Sequence, residues 1–310
     1  VSHFMDQLAG AVRRCGNPVV VGLDPRWEQL PAPLTNAMLG EPQERAGAYL
    51  AFCQQIIDVV APLVPAVKPQ AAFFEELGPV GMTALGTVIR YAQDQGLLVI
   101  LDGKRNDIGS TAEAYARGWL GRRDSPWGAD SLTVSPYLGE DSLTPFVNVA
   151  TQRSAGLFVL VKTSNPGGGL LQDLVADELC VYRHVAELVD RLSAETVGEC
   201  GYGIVGAVAG ATYPEQLAEL RQAMPHTWFL VPGFGSQGGG AADVAGGFDE
   251  QGLGAVVNSS RGIIFAHQRE EYRGKYDDSQ WQRAVEEATH DMIAQLQEGT
   301  PVGQLSRKLP

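Results

Sequence analysis

Eight short apolar runs, many of them β-branched, recur along this chain between longer amphipathic stretches. They are Val19–Leu23, Ala66–Lys68, Leu97–Leu101, Ser131–Ser135, Leu157–Val161, Gly203–Val208, Trp228–Val231 and Ala255–Asn258. Most lack polar alternation, which predicts strands buried on both faces, as in a parallel sheet. The gaps read as helices, among them Glu44–Val64, Met82–Gln95, Ser110–Leu120, Cys180–Glu195, Pro214–Ala223 and Ala241–Asp249. Strand and helix alternate with no composition break or linker. Eight β/α units in series predict a single (β/α)8 TIM barrel over residues 1–310, with an open doubly wound sheet as the other architecture. Segments near 26–45, 165–178 and 266–278 exceed what a minimal barrel needs and read as loop insertions.

Composition narrows the partners. Lys and Arg total 23 against 36 Asp and Glu, a net charge of −13 that repels nucleic acid and anionic membrane alike. No nucleic-acid or membrane partner is expected. A small anion remains compatible, because screening over about 8 Å lets a local cationic nest outweigh a distant acidic surface. Cys15, Cys53, Cys180 and Cys200 form no CxxC pair and read as reduced, mostly buried thiols of a cytoplasmic protein. The beginning of the sequence shows no leader pattern, and no apolar run approaches the ~18 residues of a membrane span.

The polar residues gather at the carboxyl ends of the runs: Asp24, Lys68, Asp102 with Lys104, Ser135, Lys162 with Ser164, Gln237 and Arg261. In a barrel that end carries the active site, and charges there are costly unless they meet partners or a ligand. Asp102 and Lys104 are two apart, so both reach one side of their strand. Asp107 lies past the strand end, before the helix opening near Ser110. A structural ion pair with Asp107 as a helix cap would explain the spacing, but Lys68 on a neighbouring strand points to a compensating cluster of two lysines and two aspartates. Carboxylates beside Lys104 favour its ammonium form, which suits a proton donor better than a nucleophile.

Gly233, Gly235 and Gly238 satisfy G-x-G-x-x-G, yet no acidic residue closes the next strand, so the dinucleotide reading fails on context. A glycine turn after strand seven feeding a helix instead offers backbone N–H groups to a phosphate, with Arg261 after strand eight as a bidentate cation. Asp24 before Pro25 either caps a turn or accepts hydrogen bonds from a ribose. Ser164 and Asn165 open a Pro–Gly segment that is either a flexible loop or an adaptable lid. The five histidines form no ligand spacing and read as surface or helix residues, and no metal site is expected.

The run Val99-Ile100-Leu101-Asp102-Gly103-Lys104-Arg105-Asn106-Asp107-Ile108-Gly109-Ser110-Thr111 resembles the orotidine 5′-monophosphate decarboxylase signature, in which D-x-K-x-x-D-I precedes a threonine. Val67-Lys68-Pro69-Gln70 and Thr111-Ala112-Glu113-Ala114-Tyr115-Ala116 are most similar to the longer bacterial branch, and the resemblance extends from Asp24 to Arg261. It implies conversion of orotidine 5′-monophosphate to uridine 5′-monophosphate, the last step of de novo pyrimidine nucleotide synthesis. Lys68, Asp102, Lys104 and Asp107 would form the charged tetrad, and Lys104 would protonate C6. Asp24 would hold the ribose, Ser164 the pyrimidine, and Gln237 and Arg261 the phosphate. The resemblance also implies a homodimer in which Asp107 and Thr111 enter the neighbouring subunit's site.

Such a decarboxylation leaves a carbanion with no adjacent electron sink. No cofactor is evident to supply one, so electrostatics would carry the transition state. The rival reading is a magnesium-dependent sugar-phosphate decarboxylase or synthase on a related barrel. That reading calls for an acidic metal ligand at the end of strand two, where Lys68 stands.

Overall fold

Val19 pairs with Val257, and that register joins the first apolar run to the last. The computed structural model describes residues 3–36, 38–235 and 239–306. Its barrel strands are β1 (Val19–Leu23), β2 (Ala66–Pro69), β3 (Leu98–Arg105), β4 (Ser131–Val134), β5 (Gly156–Lys162), β6 (Val205–Ala209), β7 (Phe229–Val231) and β8 (Ala255–Ser259). Each pairs in parallel with its sequence neighbour and β8 returns to β1, so the barrel is closed. Closure excludes the open doubly wound sheet and leaves the barrel itself without an edge strand. Every residue of β1, β2, β4, β6, β7 and β8 is buried, which explains why these runs carry no polar alternation.

Two ends of the barrel are treated differently by the chain. The helix Phe4–Cys15 precedes β1 and seats Phe4 over Gly156 at the start of β5. A Cβ on Gly156 would lie 2.2 Å from the Phe4 ring, so only glycine admits that contact. Phe4 also meets Phe158 edge-on at 6.4 Å. The carboxyl end is left to the βα segments. Segment 26–45 holds two single-turn helices, Trp27–Gln29 and Ala32–Leu34, and Gln268 Nε2 donates to the Gln29 carbonyl at 2.9 Å from segment 266–278. Segment 165–178 enters a short hairpin that pairs Val175–Ala176 with Leu179–Cys180.

Two boundaries depart from the sequence prediction for physical reasons. β3 runs on past Leu101 to Arg105, because Thr133 Oγ1 on β4 accepts the amides of Gly103 and Lys104 at 3.0 and 2.9 Å. The register slips between Leu101 and Arg105, with Lys104 at φ 44°, so the charged stretch forms a bulge inside the strand. The helix predicted over Ala241–Asp249 is a single α-turn, Ala241–Val244, followed by a 3₁₀ turn at Ala245–Gly247. Two consecutive glycines are poor helix formers, and Gly246 packs so closely on Ala218 that a Cβ would lie 2.9 Å from it. All four cysteines are free, but only Cys53 is fully buried; Cys15 at a helix end, Cys180 in the short hairpin and Cys200 in a turn are half-buried, a correction to the reading of the cysteines as mostly buried. No described helix is long and apolar enough to cross a membrane.

Candidate active site

Parallel stagger places Gly22 of β1 beside Lys68 of β2, and Gln70 beside Asp102 of β3, at the same rim. Lys68 and Asp102 are 4% and 7% exposed. Lys68 Nζ donates to Asp102 Oδ2 at 2.9 Å, and Lys104 Nζ donates to the other oxygen, Oδ1, at 2.6 Å. Thr133 Oγ1 also donates to Oδ1, at 3.1 Å. Burial works against the charge on Asp102, yet the two ammonium groups hold its carboxyl well below the usual carboxylate range. Burial likewise disfavours the charge on Lys68 and would lower its pKa; Asp102, and after it Asp24, raise it above the ordinary lysine value instead. Lys104 is different, with 49% of its side chain open to solvent. The cluster therefore presents one accessible ammonium braced by a buried ion pair.

Beside it lie two unsatisfied acceptors. Asp24 Oδ1 and Asn258 Oδ1 are buried and take no hydrogen bond among the described residues. Both sit at the rim, Asp24 just after β1 and Asn258 near the end of β8, across from Gly22. Unmet buried acceptors are costly, and at a barrel mouth they mark positions where ligand hydroxyl or N–H groups fit.

Asp107 does not join the tetrad within one chain. Its Oδ1 accepts the Ile108 amide at 2.8 Å, and among the described residues no ion pair links it to Lys68 or Lys104. Nor does it cap the next helix, Gly109–Trp119, whose N-cap is Ile108. Thr111 is exposed on that helix, where it lines a shallow cavity with Arg105, Tyr115, Trp119 and Trp127. Ile108 beside it is 54% exposed.

On the opposite rim Gly233 and Gly235 take φ values of 102° and 72°, open to glycine at little cost, and the Gly235 amide donates to the Gly239 carbonyl at 2.8 Å. Gln237 and Gly238 lie outside the described residues. The helix this turn feeds is too short to carry much dipole, and the Gly240 amide is already taken by Asp243 Oδ2 at 2.7 Å. Among the described residues, Arg261 is a cation on this rim, and the helix terminus offers an anion little. Arg261 is exposed at the start of the Arg261–Ile264 turn and lines a cavity of about 320 Å³ with Gly235, Ser259 and Arg269. Arg269 Nη1 donates to the Gly262 carbonyl at 2.9 Å, bracing that turn.

Ser164 is half-buried just past β5, its carbonyl accepting Thr212 Oγ1 at 3.4 Å. Thr133, Asn258 and Arg269 are the site residues that sequence reasoning missed. Each stands in a run read only as strand or insertion, and Ser135, singled out instead of Thr133, donates its amide to the Arg105 carbonyl on β3 at 2.9 Å while its hydroxyl accepts the Tyr137 amide at 3.5 Å. No group of three or more His, Cys, Asp or Glu among the described residues is placed to hold a metal ion. His267 corrects the reading of the histidines as surface or helix residues: it is buried in a 3₁₀ turn, between the Phe265 and Trp281 rings, and burial lowers its pKa.

A closed parallel barrel with a Lys–Asp–Lys array across the ends of β2 and β3 is a (β/α)8-barrel enzyme whose centre lies at the strands' carboxyl ends. The family model described as "Orotidine 5'-phosphate decarboxylase / HUMPS family" matches residues 17–275, and the chain belongs to that family. An orotidine 5′-phosphate decarboxylase of Rhodopirellula baltica is 60% identical over 297 residues, covering 94% of this chain and 98% of that one. The enzyme of that name from Deinococcus radiodurans is 45% identical over 250 residues, covering 79% and 83%. Among solved structures, Leishmania donovani OMP decarboxylase superimposes with a TM-score of 0.72 at 32% identity, over 96% of this chain and 98% of the other.

Proposed function

We propose that this chain decarboxylates orotidine 5′-monophosphate to uridine 5′-monophosphate without a cofactor, completing pyrimidine nucleotide synthesis in the cytoplasm. The observation that carries the reading is the half-exposed Lys104 ammonium, fixed at 2.6 Å from an Asp102 that Lys68 keeps charged. In the reaction the C6–carboxylate bond breaks, carbon dioxide leaves, and the electron pair stays on C6. Lys104 supplies positive charge where that pair develops, transfers its Nζ proton to C6, and is reprotonated from water. Preorganised charge of this kind is often the largest single catalytic term. Asp102 faces the substrate carboxylate and disfavours it relative to the transition state.

Asp24 takes the ribose hydroxyls on the oxygen left unmet among the described residues, Ser164 meets the pyrimidine, and Gln237, Arg261, Gly235 and Gly238 take the phosphate. Asp107 and Thr111 complete the site of a neighbouring copy, which explains why Asp107 pairs with no lysine among the described residues and why Ile108 stands exposed next to it in the chain. Residues 1–310 form one barrel unit, with the three long segments ranged around its mouth.

Purified protein in excess EDTA should convert orotidine 5′-monophosphate to uridine 5′-monophosphate, followed by ultraviolet absorbance. Folded protein that leaves the substrate unchanged until magnesium is added would replace this reading with the sugar-phosphate rival.

A further inference from the structure

Lys162, the last residue of β5, is 2% exposed and takes no part in the tetrad. A buried ammonium needs a counter-charge, and this one finds it in Asp173, eleven residues on. Its Nζ also lies over the rings of Tyr213 and Tyr182, 4.6 and 5.2 Å from their centroids. The segment between lysine and aspartate is cinched by side chains. Gln172 Oε1 accepts the Thr163 amide at 3.0 Å while Gln172 Nε2 donates to Thr163 Oγ1 at 2.7 Å, and Thr163 Oγ1 donates to Asn165 Oδ1 at 2.7 Å. Residues 163–172 thus close into a ring, with Ser164 inside it.

Ser164 is held from the other side as well. Gly210, just past β6, presses against it so closely that a Cβ there would lie 2.9 Å from Ser164 Cα, and the Gly210 amide donates to the Lys162 carbonyl at 2.8 Å. The ring cannot swing away without leaving the Lys162 ammonium buried and unpaired. We infer that Lys162 and Asp173 are a positioning pair that latches the Ser164 loop beside the base, so that they set recognition of the pyrimidine and not of the phosphate. The inference rests on the mouth being a pyrimidine-nucleotide site.

Two ligands separate this role from simple structural support. Uridine 5′-monophosphate carries the base, whereas ribose 5-phosphate keeps only the sugar and phosphate. Calorimetric titration of Asp173→Asn should show uridine 5′-monophosphate bound about tenfold more weakly, the scale of cost that loosened positioning brings, with ribose 5-phosphate within about twofold of wild type. Lys162→Met, which fills the same space and removes the need for a counter-charge, should show the same selective loss, and Asp173→Glu should restore most of the binding. Equal weakening of both ligands, or no change in either, in the variant that folds would overturn the latch. Wild-type protein that converts no orotidine 5′-monophosphate and binds neither ligand would instead overturn the reading of the site, and the latch with it.

Discussion

Lys68 Nζ lies 2.9 Å from Asp102 Oδ2, and both side chains are withdrawn from solvent at the mouth of the barrel. Removing one partner of such a pair leaves the other charge buried, at a cost of about 3–5 kcal/mol. Lys68→Ala and Asp102→Ala should each lower the urea-unfolding free energy by that order. Lys104→Ala should cost much less, because its ammonium is half open to water. Equal losses in all three variants would mean that the buried pair has no special weight.

The same pair sets a pH dependence. Asp102 titrates below its unfolded value of about 3.9. Its contribution to stability is therefore full above that value and drains away as pH falls toward the depressed one. Lys68, raised in the fold, contributes fully below about 10.4 and loses that contribution only as pH climbs through its raised value. The stability advantage of wild type over Asp102→Asn should shrink as pH drops below about 4, measured by urea unfolding across the acid range. An advantage that grows there would reverse the assigned sign.

Among the described residues, the Asp107 side chain accepts only the neighbouring Ile108 amide. If it serves a second copy, Lys104→Ala and Asp107→Ala fail in opposite halves of a shared site. Mixing the two inactive proteins and allowing subunits to exchange should restore activity to about a quarter of wild type, since half of the dimers would be mixed and each mixed dimer carries one intact site. Activity no higher than the sum of the separate variants would confine Asp107 to its own chain.

Arg261 stands exposed beside Gly235 with its turn braced by Arg269. Binding energy from a group remote from the reacting bond is used to hold the active geometry, so its loss reaches beyond KM. Arg261→Ala should lose kcat/KM on orotidine 5′-monophosphate by about 10²-fold or more, the scale of a charged phosphate contact, with little change on the bare nucleoside orotidine. Steady-state rates on both substrates check it, and equal losses on the two would remove Arg261 from the phosphate site.

Much of this molecule is legible in its sequence for identifiable reasons. A strand buried on both faces has no alternation to hide, so the eight runs mark eight barrel strands, and parallel closure follows from their order. Asp102 and Lys104 are legible because their spacing is local to one strand. Thr133 is not, because a four-residue buried strand gives no clue to which hydroxyl meets a neighbour's amides. The separation of Asp107 from the tetrad is equally hidden, since its position depends on a bulge and a turn that D-x-K-x-x-D does not encode. The collapse of the helix predicted over Ala241–Asp249 escaped the sequence reading, because the contact of Gly246 with Ala218 that accompanies it lies on another element.

The most direct test concerns Lys104. Its Nζ is the accessible charge of the cluster and the proton source assigned to C6. Decarboxylation of orotidine 5′-monophosphate should be followed by absorbance in EDTA for wild type and Lys104→Ala, with circular dichroism confirming that both are folded. Loss of turnover by at least about 10³-fold in the variant, with uridine 5′-monophosphate binding retained, is the expected result. A folded Lys104→Ala protein that turns over at the wild-type rate would contradict the mechanism outright.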